Sequence, residues 1–274
     1  MTRHALMSEN LFIAVDIGNA RIKLGLFEGD CAAGLPEPVR TLPLLGDEPE
    51  LDQIGPWLAD EASKGLAWRI ASVNRPAATR LIDWLREHRP EDAIVLLASG
   101  DLPLKVELDR PDMVGIDRLV DAVAVNRLRK ASCPAVIVDV GTAVTVDLVS
   151  AEGVFLGGAI LPGIQMAARA MHDFTDLLPL VDGDDFAIPP TALGTATASA
   201  MRSGLFWGTV GAIRQLVEQL AKELPSQKAA TVDHNPSPRV FLTGGTSAAV
   251  AELIGRETCH VPNLTLAGIA VSTL

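Results

Sequence analysis

The chain has 274 residues, 48% of them hydrophobic, which is enough for two domains, or one large one, with a well-buried core. Its formal charge of −11 argues against a nucleic-acid or anionic-membrane partner, since either calls for a basic face. Nucleotide binding stays open, because a phosphate site needs local N–H groups and a cation rather than net charge.

Residues 1–10 are polar, with no apolar core of signal-peptide length, and no run reaches transmembrane length free of charge. A soluble, cytoplasmic protein is expected. Cys31, Cys133 and Cys259 are sparse and unpaired in spacing, which fits reduced thiols in the cytosol.

Apolar runs at 11–15 and 23–27 predict a strand pair around the tight turn Asp16-Ile17-Gly18-Asn19. Residues 31–63, rich in Pro, Gly and acid, read as loops with room for one short helix. A strand is expected at 68–73, then a helix at 76–88 with Pro at its start and Leu81, Ile82 and Leu85 on one face. A short strand at 93–98 and a loop at 101–114 lead to a helix at 116–130, whose apolar face is Ile116, Leu119, Val120, Val123 and Leu128.

The second half restarts at Ala135. Strands at 135–138, 143–149 and 154–160 form an antiparallel meander, with turns at Gly141 and at Glu152-Gly153. A helix is expected at 163–172, an acidic loop at 182–190, and a long helix at 200–224 with Phe206, Val210, Ile213, Val217 and Leu220 on its buried stripe. After a polar stretch at 225–239, a strand at 240–243 runs into Gly244-Gly245 and a helix from about Ser247. The segment 268–274 predicts a last helical turn. Cys259-His260 reads as a strand-edge pair rather than a metal site, because no second Cys/His cluster accompanies it. Both halves open with strands, carry an Asp-x-Gly turn and close with helices. The pattern is an α/β duplication with a boundary near Lys130 to Cys133.

The paired turns carry the chemistry. In Asp16 to Lys23, Gly18 and Asn19 can offer backbone N–H groups to phosphates, Lys23 a point charge, and Asp16 a carboxylate for Mg²⁺ through water. A plain hairpin turn would use the same residues to satisfy local backbone groups. The recurrence at Asp139-Val140-Gly141-Thr142 favours function and describes an ATP site between two similar domains. Gly115-Ile116-Asp117-Arg118 opens an amphipathic helix. Asp117 is placed to accept a hydroxyl proton and Arg118 to fork onto an anion, although Asp at a helix start is also a common N-cap. Gly157 to Gly163 and Leu242 to Thr246 are glycine-bounded joints that suit either close ligand approach or ordinary turns.

The order of these elements is more specific than any one of them. The set D-I-G-N…K, P-x-x-x-G-I-D-R, D-V-G-T-A, G-G-A-I-x-P-G, G-x-x-T and L-T-G-G resembles the type III pantothenate kinases, from about Phe12 to the C-terminus. That family is similar in fold to the actin-like and sugar-kinase ATPases. The resemblance implies two ribonuclease-H-like domains, 1–130 and 131–274, with ATP in the cleft. It implies ATP-dependent phosphorylation of pantothenate to 4′-phosphopantothenate, the first step toward coenzyme A. Asp16, Ile17, Gly18, Asn19, Ala20, Arg21, Ile22 and Lys23 would bind ATP phosphates, and Thr142 would also touch ATP. Asp139 would hold a monovalent cation, potassium or ammonium. Gly115, Ile116, Asp117 and Arg118 would line the pantothenate site with Asp117 as general base, and Thr197 would contact pantothenate. A homodimer is implied too. The chain departs from many members at Ala20, where they have Thr, and at Leu108, where they have Tyr; it contains no Tyr. Another phosphotransferase or phosphatase of the same fold, or a non-catalytic regulatory relative, are the alternatives.

Overall fold

The computed structural model describes residues 11–29, 34–46, 48–58, 65–182, 186–224, 237–255 and 258–272. Along the chain the elements are β1 (Leu11–Ile17), β2 (Arg21–Glu28), β3 (Arg40–Leu45), α1 (Ile54–Leu58), β4 (Ala67–Ser72), α2 (Arg75–His88), β5 (Ala93–Leu96) and α3 (Ile116–Leu128). They continue as β6 (Ala135–Val140), β7 (Ala143–Val149), β8 (Phe155–Pro162), α4 (Ile164–Asp173), α5 (Thr197–Lys222), β9 (Arg239–Thr243), α6 (Ser247–Ile254), β10 (Cys259–His260) and α7 (Leu264–Val271). Among the described residues no helix is long and apolar enough to cross a membrane.

The described residues fall into two compact units. The first lies within Met1–Leu104, Asp109–Leu128 and Asn263–Leu274, the second within Lys105–Leu108 and Arg129–Pro262. Their sheets run β3-β2-β1-β4-β5 and β8-β7-β6-β9-β10. In each, the first three strands are antiparallel, and the fourth and fifth continue parallel to the central one. Two sheets with the same order and the same senses are the duplicated ribonuclease-H-like α/β fold that the repeated pattern predicts.

In the first unit, Ile13, Val15 and Ile17 alternate along β1 and share a core with Ile22, Leu24, Trp68, Ile70, Leu81 and Leu85. Helix α2 begins one residue before the expected start, because Asn74 Oδ1 accepts the Ala77 N–H at 3.1 Å and so caps it. The expected loop region at 31–63 also contains β3. Only Leu44 of that strand is buried. Pro43 breaks the strand pattern in the sequence, and it is tolerated because β3 is an edge.

Helix α7 is longer than the single turn expected from Gly268, and it belongs to the first unit rather than to the second as the division 131–274 has it. All eight of its residues are buried. A helix apolar on every side needs cover on every side, and here β1 and α3 contribute it. The approach to α3 is close: a Cβ on Gly268 would lie 2.1 Å from the Val120 carbonyl oxygen. Arg69 donates to the Ala270 carbonyl near the end of α7, and its guanidinium lies 3.9 Å from the Phe12 ring centroid.

In the second unit, Val136, Val138 and Val140 face Val144, Val146, Phe206, Val210 and Ile213. Helix α5 starts at Thr197, three residues before the expected 200. Cys259 and His260 form the edge strand β10, parallel to β9. Part of the expected loop at 101–114 joins this unit. Val106 bridges to Phe155 in parallel, with the Glu107 N–H donating to the Phe155 carbonyl at 3.0 Å. Cys31, residues 183–185 of the expected acidic loop and 225–236 of the expected polar stretch lie outside the described residues.

Candidate functional site

The first Asp-x-Gly turn joins β1 to β2. Its register pairs Asp16 with Lys23 and Ile17 with Ile22. Ile17 and Ile22 are buried in the core, so the period of two puts Asp16 and Lys23 together on the opposite face of the sheet. The Gly18 N–H donates to the Arg21 carbonyl at 3.0 Å and closes the turn, leaving Asn19, Ala20 and Arg21 exposed.

A residue absent from the sequence reading supports this turn. Gly46, just past β3, donates its N–H to the Ala20 carbonyl at 2.9 Å. A Cβ there would lie 2.6 Å from the Asn19 oxygen and 2.9 Å from the Ala20 carbonyl carbon. Only a hydrogen side chain fits that approach. Arg80 of α2 donates to the Gly46 carbonyl at 3.0 Å, so the clamp is tied from behind.

In the same unit, Asp117 is the second residue of α3, not its N-cap. Its Oδ1 accepts the Arg118 N–H at 2.8 Å. A Cβ on Gly115 would lie 2.5 Å from that oxygen, so a larger residue there would push the carboxylate out of this position. Burial pushes the Asp117 carboxyl above the usual carboxylate range, and the Arg118 N–H and charge oppose this more weakly. A half-buried carboxylate with raised proton affinity is suited to accept a proton from a hydroxyl.

The second turn is closed in the same way and is one residue shorter. The Gly141 N–H donates to the Ala143 carbonyl at 3.1 Å. Gly163, just past β8, donates to the Thr142 carbonyl at 3.0 Å, and its Cβ would lie 2.3 Å from the Gly141 oxygen. Gly163 therefore matches Gly46. Setting the two halves side by side is the one signal that could have found Gly46 in the sequence. Asp139 pairs with Thr145, where Asp16 pairs with Lys23. Glycines bracket the Asp139 carboxylate: a Cβ on Gly244 would lie 2.4 Å from its Oδ1, and one on Gly141 3.7 Å away. Gly244 has φ +103°, in the region that favours glycine.

Thr142 is exposed at the second turn, and Thr197 is exposed at the first position of α5. Thr197 lines an open cavity of about 820 Å³ with Met171, Leu178, Gly194 and Met201. The expected site residues thus divide between the units. Asp16 to Lys23 and Gly115 to Arg118 lie in the first, and Asp139, Thr142 and Thr197 in the second. Among the described residues no group of three or more His, Cys, Asp or Glu side chains could hold a metal ion.

Comparison with known proteins bears on this geometry. A family model described as type III pantothenate kinase matches residues 12–219. The type III pantothenate kinase of Paramagnetospirillum magneticum is 34% identical over 267 residues, covering 94% of this chain and 95% of that protein. The one from Rubrobacter xylanophilus is 35% identical over 271 residues, covering 95% and 96%. Among solved structures, the ethanolamine utilization protein EutJ from Carboxydothermus hydrogenoformans has a TM-score of 0.50 at 16% identity, covering 96% of this chain and 89% of that one. At that identity the likeness speaks to fold alone.

Proposed function

The chain belongs to the type III pantothenate kinase family, and from that premise we propose that it transfers the γ-phosphoryl group of ATP to the primary hydroxyl of pantothenate. The product, 4′-phosphopantothenate, is the first intermediate toward coenzyme A. The observation that carries this reading is the Asp117 carboxylate. It is raised in proton affinity by burial and seated at the start of α3 against Gly115. Asp117 takes the hydroxyl proton as the pantothenate oxygen attacks the γ-phosphorus. Arg118 holds an anionic group of the substrate. The exposed backbone of Asn19, with Lys23, takes the ATP phosphates, whereas the Gly18 N–H, expected to join it, is held by the Arg21 carbonyl; Thr142 and Thr197 contact ATP and pantothenate respectively. Phosphoryl transfer of this kind is mostly positioning and charge compensation.

A divalent ion fits this donor set in one way. Mg²⁺ keeps several waters and binds through one or two carboxylates plus substrate phosphates, so Asp16 suffices without a cluster. A monovalent cation, potassium or ammonium, fits at Asp139, where a carboxylate stands in a space that a Cβ on Gly244 would fill. Bound cations offset the charge of the phosphates. Phe174, Leu177, Ile188 and Leu193 are exposed in the second unit, which supports a homodimer.

The test is ADP release from purified protein with Mg²⁺ and potassium, with and without pantothenate, and mass spectrometry of the product. Pantothenate-dependent release with a phosphopantothenate mass is expected. ATP binding without turnover of pantothenate, followed by turnover of another alcohol from a substrate panel, would replace pantothenate as the acceptor.

A further inference from the structure

Beyond Asp139 and its two glycine neighbours lies a pair of side chains that the proposed mechanism does not use. Ser247 opens α6 and is 1% exposed, whereas His260 is exposed on the edge strand β10. Strand β10 runs beside β9, with His260 in register with Leu242 and the Val261 N–H donating to the Leu242 carbonyl at 2.8 Å. That pairing carries the imidazole to Ser247, with Nε2 and Oγ 2.8 Å apart.

The geometry fixes who donates. Ser247 has one hydroxyl proton, and Oγ lies 2.6 Å from the Gly244 carbonyl, which can only accept. The proton between Oγ and the imidazole therefore sits on Nε2. Neutral imidazole in that tautomer and imidazolium both donate from Nε2, so the bond persists in either state. The same assignment argues against a nucleophilic serine: its proton points away from the histidine, and its oxygen is buried.

What the pair does is hold a wall. The Gly244 carbonyl receives both the Ser247 hydroxyl and the Ser247 N–H, the latter at 3.2 Å. The neighbouring Val140 carbonyl receives both the Thr246 N–H at 3.3 Å and the Thr246 hydroxyl at 3.2 Å. Gly244 is thereby fixed at positive φ with its Cα hydrogens against Asp139 Oδ1. Those bonds hold in place the surface that Gly244 presents to the Asp139 carboxylate.

We infer that Ser247 and His260 are positioning residues for ATP and cation binding, acting through Gly244 on the orientation of the Asp139 carboxylate. The inference rests on the reading that Asp139 serves the cation, and the experiment separates the two. ATP affinity is measured by calorimetry in potassium and in sodium buffer for wild type, Ser247→Ala, His260→Phe, His260→Gln and Asp139→Ala. Pantothenate KM and amide hydrogen exchange over 240–254 accompany it. Ser247→Ala and His260→Phe are expected to weaken ATP binding in potassium by about 3- to 10-fold, the scale of one net hydrogen bond. They should also narrow the difference between the two salts, speed exchange at 244–247 and leave the pantothenate KM in place. His260→Gln, which keeps a donor, should recover most of the affinity. Since His260 is exposed, its variants do not disturb the core, whatever Ser247→Ala does to stability. Unchanged affinity in both variants, with Asp139→Ala impaired, would overturn the inference and leave the Asp139 reading standing. An equal loss in ATP affinity and pantothenate KM would reduce the pair to a structural role. An Asp139→Ala protein that binds ATP like wild type in both salts would remove the Asp139 reading and this inference together.

Discussion

Replacing Gly46 with alanine tests whether the turn between β1 and β2 is clamped from β3. The added Cβ would stand 2.6 Å from the Asn19 oxygen, against an ordinary carbon–oxygen contact of about 3.3–3.6 Å, so roughly 0.7–1 Å of movement is forced. Both sides of the contact are tied. Retreat of Gly46 stretches its 2.9 Å bond to the Ala20 carbonyl or the 3.0 Å bond from Arg80. Retreat of the turn shifts the Asn19 backbone proposed to meet phosphate. Overpacking of this kind costs about 1–3 kcal/mol, which for a chain of this size lowers Tm by roughly 2–10 °C. A displacement near 1 Å of a positioning group costs on the order of 10²-fold in rate. The assay is calorimetric Tm and ATP affinity on the same preparation, followed by steady-state kinetics. Both the Tm and the ATP affinity should fall. A Gly46→Ala protein with wild-type Tm and ATP affinity would refute the clamp. A lower Tm with intact ATP affinity would mean that the edge strand yields instead of the turn, which refutes its functional half.

Asp117→Asn should cut turnover by about 10²-fold or more while ATP still binds; near-wild-type turnover would remove Asp117 as the base. The same variant should raise Tm at neutral pH. Burial raises the folded-state pKa of this carboxyl, so its favourable contribution is fully present below the unfolded pKa and is lost as pH rises through the folded one. Asn removes the buried charge that remains above that range, and a Tm no higher than wild type at pH 7 would contradict the assignment. For the wild type, the acid limb of the kcat/KM profile should fall above the ordinary carboxylate range. Gly268→Ala drives a Cβ to 2.1 Å from the Val120 oxygen and should cost about 1–3 kcal/mol or more, read as a lowered Tm. Exchange of sodium for potassium or ammonium should raise the rate, and Asp139→Ala should abolish the difference between the salts.

How much of this was legible in the sequence depends on whether a feature is periodic. The strand pairs around Asp16 and Asp139 stand out as short apolar runs bounded by turn residues, and helices α2 and α3 carry apolar residues at helical spacing, so these patterns locate them. Strand β3 does not alternate usefully: Pro43 interrupts it, and only Leu44 reaches the core. Strand β10 has two residues, too few for a period. Helix α7 is buried all round, so no face stands out, and its place with the first unit depends on contacts far apart in sequence. The Asp-x-Gly turns were visible because the motif repeats. Gly46 was not, because its role is a steric approach to Asn19 that no local pattern encodes. Asp117 was found as a candidate, but its seat against Gly115 and its raised proton affinity come from burial, which sequence spacing does not report.

The duplication also explains why two similar turns would do different work. In both, a glycine N–H closes the turn and a strand-end glycine donates to it from the third strand, Gly46 to Ala20 and Gly163 to Thr142. The backbone frame is therefore common, and the side chains placed on it differ. Asp16 has an ammonium as its cross-strand neighbour, Lys23, whereas Asp139 has a hydroxyl, Thr145. Asp139 also has Gly244 pressed against one oxygen, where any larger residue would fill the space. A carboxylate set opposite a lysine brings a cation to the turn, which suits phosphate. A carboxylate set opposite a hydroxyl and walled by glycines keeps its charge directed at the space beside it, which suits a bound cation. On this argument a Thr145→Lys exchange, which sets an ammonium across from Asp139 as Lys23 stands across from Asp16, should abolish the rate difference between sodium and potassium; an unchanged difference would refute it.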